Sequence, residues 1–302
     1  MIGPDGFPST MALAFPVDAP RNAEARLAAL LEAALDDALG SAPRRGMVPV
    51  PVAVLLPAWA SASIHPTILE LLPPGWRDVR FVQGQDANSL GLLGHAAAAI
   101  AAGRLPGAIV CAVDSLANAA CIDHLLLNNL MLGRDTPYGV VPGEAAAVIV
   151  LAAGKPAGAL GWVQDVRAAE EAAVAPGGLV GRGLQSCLRL LRPELERADP
   201  PGRLLTDLSG PRGRAEAFGL AIAAGGPTAL TLAGAPEAPA LALGDVGEAA
   251  GLVLACLALG NAPKPLQNGN VALIVTAGRS AAALISRFHD DGTVLIPVHE
   301  VA

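Results

Sequence analysis

Cysteine and histidine are the side chains of this protein best suited to nucleophilic, acid–base or metal chemistry, and neither type forms a catalytic pattern. The four cysteines are far apart, each in an apolar segment: Cys111, Cys121, Cys187 and Cys256. Cysteines in such segments act as small hydrophobic residues, so we expect four free thiols without a catalytic role. The five histidines are scattered and no pair has the spacing of metal ligands, so the sequence predicts no metal and no cofactor.

Common catalytic and nucleotide-binding motifs are missing from the sequence. It has no Gly-x-Ser-x-Gly elbow, no phosphate-binding P-loop and no His-Glu-x-x-His zinc motif. Gly181-Arg182-Gly183 begins a dinucleotide fingerprint, but Ser186 stands where the third glycine belongs, so we interpret this segment as the start of a helix. His95 lies in an apolar helical segment, where we expect a core or subunit-contact residue.

Composition restricts the class of protein and its partners. Of 302 residues, 53% are hydrophobic and 16% are charged, which excludes intrinsic disorder. The net charge of −7, without a cluster of basic residues, predicts neither a nucleic-acid nor a membrane partner. The apolar stretches are too short to span a membrane, and MIGPDGFPST lacks the pattern of a signal peptide, so we expect a cytoplasmic protein.

The first half of the chain alternates predicted helices and strands. A short strand is predicted around residues 11–15, and apolar residues at helical spacing predict an amphipathic helix over 24–39. The continuous apolar run 48–59 is typical of a strand buried on both faces. Residues 86–103 are apolar on all sides, which predicts a central buried helix. A further helix is expected over 121–131.

The second half repeats this rhythm without a visible sequence repeat. A linker at 155–158 precedes it, and a helix is expected over 178–191. Residues 271–288 are expected to form two strands. Alternating strands and helices predict an α/β fold, with two halves at residues 1–155 and 156–302.

Four segments together resemble the thiolase/β-ketoacyl synthase superfamily. Cys111-Ala-Val-Asp114-Ser115 resembles the strand and turn "gGvDS", and Val141-Pro-Gly-Glu144-Ala resembles the "GEGA" turn. The run from Gly244 to Gly251, GDVGEAAG, resembles the "GHtxGAAG" loop and helix. Thr206-Asp207-Leu208-Ser209-Gly210 lies at the His-Gly-Thr-Gly-Thr region of those enzymes. The resemblance implies a duplicated five-layer α-β-α-β-α fold, a dimer, and a shortened N-terminal unit in this chain.

The family's catalytic residues are replaced in this sequence. The resemblance places a cysteine at the start of the central helix and two histidines in later loops, for acyl transfer to a thiol. Here that helix begins Asp86-Ala-Asn88-Ser89, and the two histidine positions fall at Asp207 and Asp245. Carboxylates and amides at a helix start are good caps, so we predict structural roles and no catalytic residue among these five. Asp114 and Glu144 are expected to accept backbone amide hydrogen bonds in turns.

The resemblance therefore implies a pseudoenzyme that binds another protein. Gly-Asp-Val-Gly together with Asp-Leu-Ser-Gly and Arg214-Ala-Glu216 resembles bacterial thiolase-like proteins linked to type VI secretion, where an adaptor or co-chaperone role for effector loading fits.

Two alternatives stay open. One is an acyl-thioester enzyme with a displaced nucleophile, such as Ser89 or Asp86 assisted by His95. The other is a cysteine-free partner subunit of an active ketosynthase.

Overall fold

A computed structural model describes most of the chain between Asn22 and Arg287. The described ranges are 22–39, 49–73, 76, 78–84, 88–154, 159–170, 180–197, 201–224, 226–232, 234–260, 270–276 and 280–287. The strand predicted around residues 11–15, the shortened N-terminal unit that includes it, the residue Asp86 and the linker at 155–158 lie outside them.

The first sheet has four strands in the order β2-β1-β3-β4. Its strands are β1 (Val52–Leu56), β2 (Val79–Gln83), β3 (Gly107–Ser115) and β4 (Glu144–Ala152). The first three are parallel to one another, and β4 is antiparallel to β3. Every residue of β3 is buried, as expected for a central strand that is covered on both faces.

The second sheet has the order β5-β8-β7-β6. Its strands are β5 (Gly161–Ala169), β6 (Arg203–Thr206), β7 (Asn270–Val275) and β8 (Ser280–Arg287). Strands β6 and β7 are parallel, and β8 is antiparallel to both of its neighbours, β7 and β5. The pair of strands predicted within 271–288 is thereby confirmed.

Helices form three layers around the two sheets. Helices α1 (Ala23–Leu39) and α2 (His65–Leu71) cover the outer face of the first sheet. Helices α5 (Arg182–Arg197), α6 (Arg212–Ala223) and α7 (Thr228–Leu232) cover the second. Between the sheets lie α3 (Ser89–Ala101) and α9 (Ala250–Leu259), whose leucines and alanines pack against both. Two further helices, α4 (Ala119–Leu127) and α8 (Ala240–Leu243), complete the set of described α-helices. The predicted five-layer α-β-α-β-α architecture is confirmed.

The C-terminal ends predicted for two helices were wrong, and the helices α7 and α8 were not predicted. Helix α4 stops at Leu127 rather than at residue 131, because Asn129 takes a left-handed conformation with φ of 54°. Helix α5 runs on to Arg197 in spite of Pro193, because Leu191 and Leu195 are both buried in the core and hold the last turn. No helix among the described residues is long and apolar enough to span a membrane.

The close approach of α3 to β5 provides a first prediction. A Cβ atom at Gly94 would lie 2.7 Å from the Cβ of Val166, so a side chain there forces the two layers apart. Overpacking costs about 1–3 kcal/mol, which exceeds the helix-propensity gain of up to about 1 kcal/mol. We expect Gly94→Ala to lower the free energy of unfolding by about 1–2 kcal/mol in urea denaturation.

The matched control is Gly219→Ala in α6. Gly219 is exposed, and nothing lies within 4 Å of the position that its Cβ would take. Only helix propensity then acts, and stability should rise by about 0.5–1 kcal/mol. Equal effects of the two substitutions would contradict close packing of α3 on β5.

Candidate functional site

The two central helices begin beside each other, and polar residues join their first turns. Asn88 caps α3, and its Oδ1 accepts the Gly91 amide at 2.6 Å. The Oγ of buried Ser89 accepts the Leu252 amide of α9 at 3.2 Å. Gly251 permits this approach, because a Cβ there would lie 2.7 Å from the Leu90 nitrogen. Asn88 therefore has the predicted capping role, and Ser89 satisfies a free amide of the neighbouring helix.

Asp114, at the end of β3, connects the first half of the chain to the second. Its carboxylate accepts the Ser115 amide at 2.7 Å and the Glu248 amide at 2.9 Å. Gly247 lies against this carboxylate with φ of +53°, and a Cβ there would come within 2.1 Å of Oδ2. Burial and the negative charge of Asp245 raise the pKa of Asp114 to about 6, against the opposing backbone hydrogen bonds. The expected backbone contacts of Asp114 are confirmed.

Asp245 lies where the resemblance places a histidine. Its carboxylate is buried and is held by hydrogen bonds and an ion pair within the protein. The carboxylate is 3% exposed. It accepts hydrogen bonds from the Ser209 hydroxyl at 3.0 Å and the Gly247 amide at 3.0 Å, and it pairs with Arg214 at 2.9 Å. The Arg214 guanidinium also donates to Ser209 Oγ at 2.6 Å.

Asp207 lies at the other position where the resemblance places a histidine, and it hydrogen-bonds to Thr276, the residue that follows β7. Both of its carboxylate oxygens accept the Thr276 amide, at 2.8 and 2.9 Å, and Oδ1 also accepts the Thr276 hydroxyl at 2.9 Å. The structure thus gives Asp207 and Asp245 scaffold contacts. Arg214 lies between them, since its Nη1 is 3.5 Å from the Asp207 carbonyl.

Glu248 is the one carboxylate of this region for which sequence analysis predicted nothing. Its side chain packs on Gly84, the last described residue before the segment that holds Asp86, and a Cβ at Gly84 would lie 2.4 Å from Glu248 Cγ. Burial, followed by the charges of Asp114 and Asp245, raises the pKa of Glu248 to about 7, while Arg214 opposes this shift. We call Asp114, Asp245, Glu248 and Arg214 the carboxylate cluster.

Glu144 does not form the backbone contacts that were expected of it. At the start of β4 it pairs with the Arg26 guanidinium of α1, whose Nε lies 3.0 Å from Oε2, and it accepts the Ser115 hydroxyl at 3.1 Å. The Arg26 hydrogen bond is the main reason that the pKa of Glu144 is lowered. A carboxylate within reach of a guanidinium prefers the ion pair to backbone amides. In the turn before β4, the Gly143 amide therefore donates to the Asp245 carbonyl instead.

The thiols and imidazoles of the described residues are placed poorly for acyl chemistry. All four cysteines are free, and Cys111 lies in the middle of β3, where burial raises its pKa to about 12. Cys121 lies in the first turn of α4, and burial together with the Asp114 charge raises its pKa. His65 stacks on Phe81 with centroids 3.8 Å apart. His95 is exposed rather than in the core, because it faces outward from α3.

The carboxylate cluster thus offers three carboxylates and one guanidinium, with the Ser209 hydroxyl hydrogen-bonded to Asp245 and Arg214. None of the described histidines, His65, His95 and His124, hydrogen-bonds to it. Among the described residues, no group of three or more His, Cys, Asp or Glu side chains could hold a metal ion. Sequence analysis missed Glu248 and Arg214, although both stand inside the motifs GDVGEAAG and Arg-Ala-Glu that carried the resemblance.

The chain has a thiolase-like ketosynthase fold. It is defined by the order of the layers, the order of the strands and the polar loops at the starts of the central helices. Solved structures of that class match the chain. The ishigamide ketosynthase/chain length factor superposes with a TM-score of 0.61 and 17% identity, over 87% of this chain and 81% of that one. Acetamide-bound OleA of Xanthomonas campestris gives 0.56 and 14%, over 86% and 81%.

A modular enzyme is equally similar and much longer. The ketosynthase from module 6 of the bacillaene synthase of Bacillus subtilis 168 gives a TM-score of 0.61 and 16% identity. The match covers 87% of this chain but 60% of the ketosynthase. No protein-family model and no curated protein matches the sequence. At these identities the similarity shows the fold, and function has to be argued from the site.

Proposed function

We propose that this protein has the ketosynthase fold without condensing activity and that it acts by binding another protein. The observation that carries the proposal is the packing of Glu248 on Gly84. The resemblance places the acyl-accepting thiol at the start of the central helix, where this chain has Asp86, Asn88 and Ser89 and no cysteine. Glu248 adds a half-buried carboxylate at Gly84, which shortly precedes that start in the sequence. A carboxylate is a poor nucleophile toward an acyl thioester, and an ionised Glu248 would oppose the negative charge of an enolate formed from a malonyl thioester near Gly84.

The structural contacts of Asp207 and Asp245 support the same proposal. In an active site, the groups that stabilise a developing oxyanion must be donors aimed at the reacting atom. Here both positions carry acceptors, whose hydrogen bonds hold the loops at Thr276 and Ser209. These hydrogen bonds within the protein stabilise the loops. A protein without condensing activity can thereby keep the ketosynthase fold.

An exposed apolar surface between α4 and the turn before β4 supports protein binding. Its large side chains are Leu126, Leu127, Leu130, Leu132 and Tyr138, and Leu127 is 83% exposed. Clustered apolar exposure of this kind marks an interaction surface. We propose a protein partner, in a dimer or a hetero-complex, and an adaptor or co-chaperone role in the cytoplasm. Type VI effector loading is the specific role that the sequence resemblance favours.

A second candidate is a cysteine-free partner subunit of an active ketosynthase. It is favoured by the similarity to the ishigamide ketosynthase/chain length factor, of which the match covers 81%. The two candidates differ in the partner, because the second requires a ketosynthase that retains its thiol. An enzyme with a displaced nucleophile is the remaining alternative, and Ser89 or Asp86 would then carry the acyl group.

Mass spectrometry of the intact protein tests the loss of chemistry. We expect no covalent adduct after incubation with malonyl and acyl thioesters of coenzyme A and of a carrier protein. An active ketosynthase treated in parallel shows that the assay detects acylation. An adduct that maps to Ser89, Asp86 or Cys121 would overturn the proposal and identify the nucleophile.

Binding is tested by cross-linking the full chain in its own cell and reconstituting the complex with the purified partner. Leu127→Asp should raise the dissociation constant about tenfold or more, because it places a charge within the apolar surface. Leu190→Asp, at an exposed leucine of α5, is the matched control and should leave it unchanged. A thiol-bearing ketosynthase as partner supports the second candidate, and absence of any stoichiometric partner contradicts both.

A further inference from the structure

The exposed apolar side chains near α4 lie on one continuous stretch of backbone. Helix α4 ends at Leu127, and the chain then turns back, since the Leu130 amide donates to the Leu125 carbonyl at 2.8 Å. The next residues run beside the end of the same loop, because the Leu132 amide donates to the Val140 carbonyl at 2.9 Å. We call the surface formed by Leu126, Leu127, Leu130, Leu132 and Tyr138 the α4 surface.

The turn that carries Tyr138 is fixed in place. The amides of Gly133 and Thr136 donate to each other's carbonyls, at 3.3 and 3.2 Å. Gly139, next to Tyr138, lies so close to the backbone nitrogen of Leu132 that a Cβ atom there would clash with it. The α4 surface is therefore preorganised, and a partner loses little free energy in ordering it.

Two carboxylates border the α4 surface. Asp123 lies one helical turn before Leu127 on α4, so the two side chains are neighbours on the surface of the helix. Asp135 lies in the turn between Leu132 and Tyr138. Both aspartates are exposed, and neither has a hydrogen-bond or ion-pair partner among the described residues. An ionised carboxylate without a partner attracts a cation that approaches the surface.

The nearby basic residue does not balance these two carboxylates. Arg134 precedes Asp135 in the turn, but it already has an interaction of its own. The chain as a whole carries 27 Asp and Glu against 20 Lys and Arg, so its long-range field also attracts cations. The α4 surface thus combines an apolar centre with a negative border.

We propose that the α4 surface binds a segment of another protein in which apolar side chains are flanked by lysine or arginine. The apolar side chains of such a segment cover the leucines and Tyr138, while its cations pair with Asp123 and Asp135. This inference rests on the proposed function, because it specifies the chemistry of the protein that is bound.

Charge disfavours a second copy of this chain as the occupant. A two-fold symmetric interface brings the same surface of both copies together. The negative borders would then face each other, and like charges across an interface lower the affinity. An acidic protein or an anionic membrane would be repelled in the same way. A basic amphipathic segment is the occupant whose charge complements both Asp123 and Asp135.

Two synthetic amphipathic helices of about 18 residues, five helical turns, test the charge of the partner. They share their leucine positions and differ only in the flanking residues, which are lysine in one peptide and glutamate in the other. Fluorescence anisotropy with the full chain should give the lysine peptide an affinity at least about tenfold higher at low salt. The difference should shrink at about 0.5 M NaCl, because ions screen the charges.

Variants locate the binding through its kinetics, measured by stopped-flow fluorescence. Asp123→Asn combined with Asp135→Asn should slow association of the lysine peptide about threefold or more and leave its dissociation nearly unchanged. Leu127→Ser should instead speed dissociation about tenfold, because it removes apolar contact without a change of charge. Asp37→Asn, at an exposed position of α1, is the matched control and should change neither rate. Equal slowing by Asp37→Asn and by the double variant would overturn the inference.

The outcomes separate this inference from the proposed function. If both peptides bind equally and Leu127→Ser weakens both, the α4 surface binds protein but the charge assigned to the partner is wrong. If Leu127→Ser weakens neither, the α4 surface is not a docking site, and the binding surface of the proposed function fails with the inference. Self-association of the wild-type protein that Leu127→Ser abolishes would also overturn the inference, because a second copy then covers the surface.

Discussion

Raising the pH from 5 to 8 is expected to lower the free energy of unfolding by about 3 kcal/mol. The carboxylate cluster is the cause, because the folded-state pKa of Asp114 is raised to about 6 and that of Glu248 to about 7. The unfolded chain ionises these groups near pH 4, so between pH 4 and pH 7 the folded state binds more protons. Stability is therefore greatest in mild acid, falls as the pH rises through the two folded-state values, and is level above them. Glu248 is only half-buried, and water screening reduces its share.

Glu248→Gln measures how much of this pH dependence comes from Glu248. Glutamine keeps the packing on Gly84 and does not ionise, so the variant should lose about half of the difference between pH 5 and pH 8. Urea denaturation at both pH values measures this. Glu216→Gln, at an exposed position of α6, is the matched control and should retain the full slope. A wild-type protein that is equally stable at pH 5 and pH 8 would refute the raised pKa values.

Most of the fold could be predicted from the sequence because local patterns determined it. The apolar run 48–59 contains the strand β1, and the apolar segment 86–103 contains the central helix α3. Continuous burial leaves a continuous apolar signal that needs no knowledge of distant residues. The motifs around Asp114 and Asp245 added the resemblance to the ketosynthase fold, which the solved structures confirm.

The roles of Glu248 and Arg214 could not be predicted, because their partners are distant in sequence. Glu248 packs on Gly84 of the other half of the chain, and Arg214 pairs with Asp245 in a later loop of its own half. Both side chains are charged, so the local sequence alone predicts that they are exposed to solvent. The predicted end of α4 was wrong for a local reason. Asn128 and Asn129 end the helix, because asparagine can take the left-handed conformation that a glycine usually provides. The predictions made from continuous apolar sequence were therefore confirmed, while the contacts of these two charged side chains were not predicted.

Removal of the guanidinium from the carboxylate cluster is expected to give the largest effect of any single substitution described here. Arg214 is the counter-charge of buried Asp245 and the cation that opposes the pKa shift of Glu248. Arg214→Leu leaves a buried carboxylate without its partner, which costs about 3–5 kcal/mol. The loss should be greater at pH 8 than at pH 5, because Asp114 and Glu248 then add two more negative charges to the same site.

The control for this experiment lies one half-turn away on the same helix. Arg212 pairs with Glu216 at 2.6 Å on the exposed surface, with side chains 74% and 46% accessible. Water and salt screen such a pair, so Arg212→Leu should cost less than about 0.5–1 kcal/mol at either pH. A similar small loss for Arg214→Leu, or a loss independent of pH, would mean that the cluster does not stabilise the junction of the two halves. A large, pH-dependent loss would show that the carboxylate cluster stabilises the folded protein and that its charges depend on the Arg214 guanidinium.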